Sequence, residues 1–273
     1  MDWIEGIILG AVQGLTEFLP ISSSGHLVLF QNFLGFKEPE LFFDICLHVG
    51  TLSAICLFFF QDIRRIGVSL LAVPGRLKQG EGIREQLRNT PPLRLAAFII
   101  LGTIPTGIIG CCISTISHVC FSSIRFVGFM LLVTGTLLAL TKRFQKGDRD
   151  FSGFKATDAL LIGLAQGLAI LPGISRSGAT ISAGLFAGVN RETSARYSFL
   201  LSIPAIFGAV LMEWESSMQG SMPFHVIVVG TVTAAIVGYA SLKLLMWMLK
   251  KGDFFVFAPY CWITGAVAIA LSF

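Results

Sequence analysis

Residues 13–25 read QGLTEFLPISSSG, and residues 166–178 read QGLAILPGISRSG. At an offset of 153, seven of the thirteen positions are identical without a gap. Self-similarity of this kind marks an internal repeat, and the chain can be laid out around it. In each copy an apolar run (4–19 and 158–171) meets proline, serine and glycine, then restarts as a second short apolar piece (27–36 and 179–189). A helix needs about 20 apolar residues to cross a bilayer. Pieces this short, broken at a proline, read as helices that enter the membrane and turn back. The likeness runs on beyond the motif. Gly10, Phe33 and Gly35 pair with Gly163, Phe186 and Gly188; ILGTIPTGIIG (100–110) resembles VVGTVTAAIVG (228–238), and VTGTLLAL (133–140) resembles ITGAVAIAL (263–271).

Composition places this repeat in a membrane. Of 273 residues, 54% are hydrophobic and 13% charged, and mean hydropathy is +0.78. A soluble domain carries about 25% charge. Apolar runs of spanning length lie near 41–61, 95–116, 124–141, 197–213, 224–249 and 254–272. The expected fold is therefore an all-α polytopic membrane protein with six transmembrane helices and two re-entrant helical hairpins. It forms a single membrane domain over 1–273, with repeat halves 1–145 and 156–273. Each half holds one hairpin and three spans, and an odd number of spans inserts the second half upside down relative to the first.

Loop charge sets the orientation. The 62–94 connection holds Arg64, Arg65, Arg76, Lys78, Arg84, Arg88 and Arg94; the 142–155 connection holds Lys142, Arg143, Lys146, Arg149 and Lys155. Two spans separate them, so they share a side, which the positive-inside rule makes cytoplasmic. Lys250 and Lys251 fall there too, whereas MEWESSMQGSM (212–222) has no basic residue. Both termini then face outward. The net charge of +4 comes from these loops rather than from a basic face with interleaved aromatics, so membrane lipids, not nucleic acid, are the expected surroundings. Cysteines 46, 56, 111, 112, 120 and 261 show no metal-ligand spacing and read as small core hydrophobes. MDWIEGIILG has no basic n-region, and a cleaved signal peptide is not expected.

Inverted repeats bring their broken helices together near the midplane, around a polar cavity. Arg176, between serines at the second break, is the costliest residue to keep at that depth and the most informative. With Ser175, Ser177, Thr180 and the N–H groups of a new helix it makes an anion pocket suited to phosphate. SSSG in the first copy supplies a second cradle, Ser22, Ser23, Ser24 and Gly25, facing Gly173 and Gly178 of the other. The plainer alternative has the serines capping helices and Arg176 balancing a buried carboxylate. Glu17 lies one turn after Gln13, so the pair shares a helical face and suits a divalent cation completed by substrate oxygens; a Glu17–Arg176 ion pair is compatible with this. His26 follows the serine run and can act as general base or acid, with a helix-capping role as the alternative. His118 and His225 read as interfacial, and His48 as ambiguous. Phosphate binding, hydroxyl nucleophiles, a base and a metal at membrane depth make a site for phosphoryl transfer on a lipid diphosphate. A lipid-phosphate transporter with the same anion site is the rival reading.

QGLTEFLPISSSGH and LPGISRSGAT closely resemble the two signature motifs of the bacterial undecaprenyl-pyrophosphate phosphatases, also called bacitracin-resistance proteins, and the resemblance covers essentially the whole chain. It implies hydrolysis of undecaprenyl diphosphate to the monophosphate, recycling the lipid carrier of cell-wall synthesis. It implies Mg²⁺ or Ca²⁺ as cofactor, a homodimer, and residence in the bacterial cytoplasmic membrane with the active site facing out. By resemblance Gln13 and Glu17 fill the metal-binding positions. Ser23 and His26 match the catalytic serine and histidine, and Ser175, Arg176 and Thr180 the phosphate loop. Some members carry glutamate where this chain has Gln13, which leaves Glu17 as the main acidic ligand here. Whether Ser23, His26 or water is the nucleophile stays open at this level.

Overall fold

The computed structural model describes residues 1–36, 41–121, 123–144, 147–217, 223–252 and 254–272, with backbone alone for 41, 114–119 and 212–217. His118, Lys146 and the segment 218–222 thus lie wholly or in their side chains outside the described residues. Twelve α-helices account for nearly all of these residues, and the broken hairpins come first in each half. Helix α1 (Trp3–Phe18) starts at a capping box in which Asp2 accepts from the Glu5 amide at 2.8 Å and the Glu5 carboxylate accepts from the Asp2 amide at 2.7 Å. It stops where Leu19 turns extended (φ −63°, ψ 143°), as a residue before proline must. At about 1.5 Å per residue its 16 residues fall short of the roughly 30 Å hydrocarbon core. Helix α2 (Ser23–Phe33) then restarts.

Helices α3 (Leu41–Phe58) and α4 (Phe60–Lys78) meet at a 77° bend. Helix α5 (Ile83–Asn89) follows, and α6 (Pro91–Phe121) and α7 (Ile124–Thr141) complete the first half. The second half also begins with a broken hairpin but, among the described residues, has no counterpart to α4 and α5. Its hairpin is α8 (Ala156–Leu168) and α9 (Arg176–Phe186), followed by α10 (Arg191–Ser217), α11 (Phe224–Lys251) and α12 (Ala258–Leu271). Among the described residues five stretches are long and apolar enough to cross a membrane, or six with the bent α3–α4 pair taken as one. The 62–94 stretch, expected as a charged connection, is mostly helix. Four of its seven cations, Arg64, Arg65, Arg76 and Lys78, share α4 with exposed Val68, Leu70, Leu71 and Leu77, and none of the residues of α4 is buried. Ile63, Ile66, Leu70, Val73 and Leu77 recur at helical spacing on one side of α4 and its four cations lie off that side, an arrangement that suits the headgroup boundary.

The two hairpins match in detail. Helices α2 and α9 are both eleven residues long, begin at serine caps 153 positions apart, and end before Gly35 and Gly188, both left-handed (φ +86° and +80°). Packing crosses between halves in matched pairs. Helix α1 lies along α11, and α8 along α6, while α7 and α12 pack on each other. At both crossings glycine meets glycine: a Cβ on Gly10 would collide with the Gly230 carbonyl, and one on Gly163 with the Gly102 carbonyl. Such close approach is how helices associate where lipid offers no hydrophobic drive. Thr106 donates to the Gly163 carbonyl at 2.9 Å, and Ser241 to that of Leu15 at 2.9 Å. Beneath the site, Phe18 is fully buried and packs edge-on to Phe199 at 5.7 Å. Tyr197, also buried, donates to the Phe98 carbonyl at 2.7 Å.

Candidate active site

The breaks of the two hairpins face each other. A Cβ on Gly25 would lie 3.3 Å from the Cα of Gly173, and one on Gly178 would lie 3.4 Å from the Pro20 side chain. Position 20 in the first copy corresponds to 173 in the second, so the contact is reciprocal. Ser22 Oγ accepts from the Gly25 amide at 3.3 Å, and Ser175 Oγ from the Gly178 amide at 3.1 Å. Two helix N-termini, each favourable to an anion, thus converge. Helix α7 braces the second loop: Thr134 donates to the Gly173 carbonyl at 2.9 Å and accepts from the Ser175 amide at 3.1 Å. Gly173 itself is left-handed (φ +96°) and tight against the Val127 carbonyl. Only glycine meets both demands without strain.

Glu17 is the hub. Its Oε1 pairs with Arg176 Nη2 at 2.5 Å, and its Oε2 accepts from Ser23 Oγ at 2.6 Å and from Gln13 Nε2 at 3.0 Å. The ion pair that sequence reasoning set beside the metal reading is therefore formed. Two buried atoms are left without a protein partner at this hub, Arg176 Nη1 and Gln13 Oε1. An unpaired guanidinium N–H at such depth costs free energy and presents a donor to an anion.

The hydroxyls divide into two groups. Ser23 and Ser24 are partly open, while Ser22, Ser175, Ser177 and Thr180 are buried. Ser177 donates to the Leu19 carbonyl at 3.3 Å, and Thr180 shares a 2.5 Å bond with Ser198 of α10 while donating to the Arg176 carbonyl at 2.7 Å. Ser177 and Thr180 thus hold the cradle together from behind, and the face open to a ligand is formed by Ser23, Ser24 and Arg176.

His26, expected beside Ser23 as its base, faces elsewhere. Its Nδ1 bonds the Ser22 carbonyl at 2.8 Å and its Nε2 the Tyr260 hydroxyl at 2.8 Å. His48 joins the site instead. Its Nε2 stands 3.8 Å from Glu17 Oε2, its Nδ1 bonds the Asp44 carbonyl at 2.7 Å, and its side chain is 31% exposed. Asp44 accepts from Gln31 at 2.7 Å. Tyr260 was missed from sequence because it lies 234 positions from its partner on a helix with no local polar pattern. His225 is exposed, as an interfacial residue would be. Among the described residues no three His, Cys, Asp or Glu side chains converge; the oxygens of Gln13 and Glu17 are what a cation would find here.

The chain is similar to known proteins over nearly its whole length. The chain is 49% identical over 278 aligned positions to an undecaprenyl-diphosphatase of Desulforapulum autotrophicum, covering 100% of this chain and 99% of the relative. It is 48% identical to an undecaprenyl-diphosphatase of Desulfosudis oleivorans, with 98% of each covered. To that of Methanosphaera stadtmanae it is 45% identical, over 100% of this chain and 99% of the relative. The family model described as bacitracin resistance protein BacA matches residues 6–267, and the chain belongs to that family.

Proposed function

We propose that this protein is a membrane phosphatase that converts undecaprenyl diphosphate to undecaprenyl phosphate and inorganic phosphate, recycling the lipid carrier of cell-wall synthesis. The family and the names of its relatives support the reading. Within the structure, the observation that carries it is Arg176, whose buried Nη1 has no protein partner where two capped helix N-termini meet.

The terminal phosphate binds between the two N-termini, with its oxygens on Arg176 and on the amides of the first turns of α2 and α9. Ser23 Oγ attacks the terminal phosphorus. Its proton passes to Glu17 Oε2, which already accepts it at 2.6 Å. The bond from phosphorus to the bridging oxygen breaks, and undecaprenyl phosphate leaves with the electron pair. Water then attacks the phosphoserine; phosphate leaves carrying the water's protons, and Glu17 returns its proton to Ser23 Oγ, restoring the hydroxyl. The substrate takes the free Nη1 of Arg176 while Nη2 stays on Glu17, so one guanidinium ties the bound phosphate to the base. A divalent cation, Mg²⁺ or Ca²⁺, fits the orphaned Gln13 oxygen and the Glu17 carboxylate, both hard oxygen ligands. When bound it would supply charge neutralisation on the diphosphate. The protein sits in the bacterial cytoplasmic membrane with both termini and this site facing outward, and it forms a homodimer. The distribution of lysines and arginines supports the orientation.

The test is phosphate release from undecaprenyl diphosphate by purified protein, with and without chelator, together with trapping of a phosphoenzyme. Label on Ser23 is the expected result. Label on His26, or none, would replace the serine step by histidine or direct water attack. Absence of phosphate release by wild-type protein would sink the phosphatase reading and favour a carrier of lipid phosphates.

A further inference from the structure

We infer that Tyr260 is a positioning residue for His26, holding the Nε2 end of the imidazole while the Ser22 carbonyl holds the Nδ1 end. The inference rests on the phosphatase reading above and extends it to a helix at the far end of the chain. A backbone carbonyl can only accept, so the 2.8 Å bond to Ser22 puts the ring proton on Nδ1. In the neutral ring Nε2 is then the lone-pair nitrogen, and the Tyr260 hydroxyl donates to it at 2.8 Å. The two rings lie nearly parallel, 9° apart in plane with centroids separated by 5.6 Å. Both nitrogens of a ring that is 3% exposed are satisfied, and they are tied to two helices distant in sequence.

Comparison between the two hairpins shows what this clamp requires. Ser22 and Ser175 cap their helices in the same way, yet Ser175 has an ordinary φ of −74° and Ser22 a φ of +71°. Ser22 is the one non-glycine residue with positive φ among those described. The cap therefore does not need the strained backbone. The second break puts its left-handed residue at Gly173, two positions before the cap, and where the first has His26 it has Ala179. The Ser22 carbonyl receives both the His26 amide at 3.2 Å and the imidazole Nδ1. Backbone strain of this sort persists where the surroundings over-determine it, typically at working sites. Helix α12 is anchored at the same place, with Cys261 Sγ against the Pro20 carbonyl at 3.6 Å, so the tyrosine reaches His26 from a fixed base.

With Ser23 already bonded to Glu17, the clamp sets His26 apart as a second proton-handling group whose basic atom is aimed at α12. Tyr260 can serve it in either protonation state, donating its hydroxyl hydrogen to the neutral ring and accepting from the imidazolium. Without the hydroxyl the ring keeps one anchor of two and turns about its bond to Cβ.

The experiment compares wild type, Tyr260→Phe, His26→Ala and the double variant in phosphate release from undecaprenyl diphosphate, alongside thermal unfolding. Partners that orient a working imidazole contribute roughly ten-fold or more. Tyr260→Phe should therefore lower kcat by roughly ten-fold, leave KM within about two-fold and lower the unfolding midpoint by no more than a few degrees, the effect of leaving Nε2 without its donor. In the His26→Ala background it should have no further effect. An unaltered kcat, or losses that multiply in the double variant, would overturn the inference while wild-type activity upholds the phosphatase reading. A second measurement does not depend on turnover. In protein with nitrogen-15 imidazoles, Tyr260→Phe should move the His26 Nε2 resonance, identified by its loss in His26→Ala. A stationary resonance would refute the clamp even if wild-type protein released no phosphate.

Discussion

Replacing Arg176 by lysine separates the two jobs assigned to it. In the structure Nη2 pairs with Glu17, and Nη1 is buried with no protein partner. Lysine keeps a cation near Glu17 but is a point charge without the planar fork, so it cannot hold the carboxylate and offer a second fixed donor at once. A hydrogen bond to a charged group contributes about 1.5–3 kcal/mol. Loss of one such bond to the transferring phosphoryl group predicts a fall in kcat/KM of about 10- to 150-fold. Stability should change little, because Glu17 keeps its counter-ion. Arg176→Met removes the counter-ion as well. Breaking a buried pair from one side costs about 3–5 kcal/mol, so this variant should lose both activity and several degrees of thermal stability. The assay is initial-rate phosphate release across substrate concentrations, paired with unfolding followed in the same detergent. A Lys variant within about two-fold of wild-type kcat/KM would refute the assignment of Nη1 to the phosphate.

Gly173→Ala should lower stability by about 1–2 kcal/mol from the left-handed backbone alone, and further from its collision with the Val127 carbonyl. Gly35→Ala, also left-handed but with nothing within 4 Å of the added carbon, should show only the conformational part; equal unfolding shifts would contradict this. Gln13→Glu places a second carboxylate beside Glu17 and should lower the cation concentration giving half-maximal phosphate release roughly ten-fold. An unchanged titration would remove Gln13 from the metal site. A single cysteine at Lys78, exposed at the end of α4, should react with an impermeant maleimide in inverted vesicles and not in intact cells, and the opposite pattern would reverse the orientation.

Much of the hairpin architecture was legible because it is local and repeated. Proline after Leu19 and the serine caps act within a few residues, and the duplicate at 166–178 shows which features the frame requires. The Gln13–Glu17 contact follows from helical spacing, and the cost of Arg176 in an apolar setting identified the hub. What escaped the sequence depends on direction and distance. Thr180 belongs to a motif rich in hydroxyls, but only the packing of α10 shows that its oxygen turns inward to Ser198. Tyr260 stands singly on an apolar helix, so nothing nearby marks it, and His48, one turn after Asp44, stayed ambiguous because only packing brings it to Glu17. The 62–94 stretch looked like a loop because charge outweighs its apolar residues, and its amphipathic order emerges once the helix is placed at the bundle's edge.

The crossed packing of the halves bears on how the chain is made. Helix α1 finds its close-packed partner only when Gly230 has been synthesised, some 220 residues after Gly10. Glu17 waits for Arg176 for most of that interval. At about 5–20 residues per second the first hairpin passes roughly 8–32 s in the bilayer before the Glu17 carboxylate meets Arg176, matched until then only by Ser23 and Gln13 of its own hairpin. Neither half, released alone from the ribosome, holds the surfaces that would cover it. Insertion must therefore either keep the first hairpin near the water interface until the second arrives or shelter it within the insertion machinery.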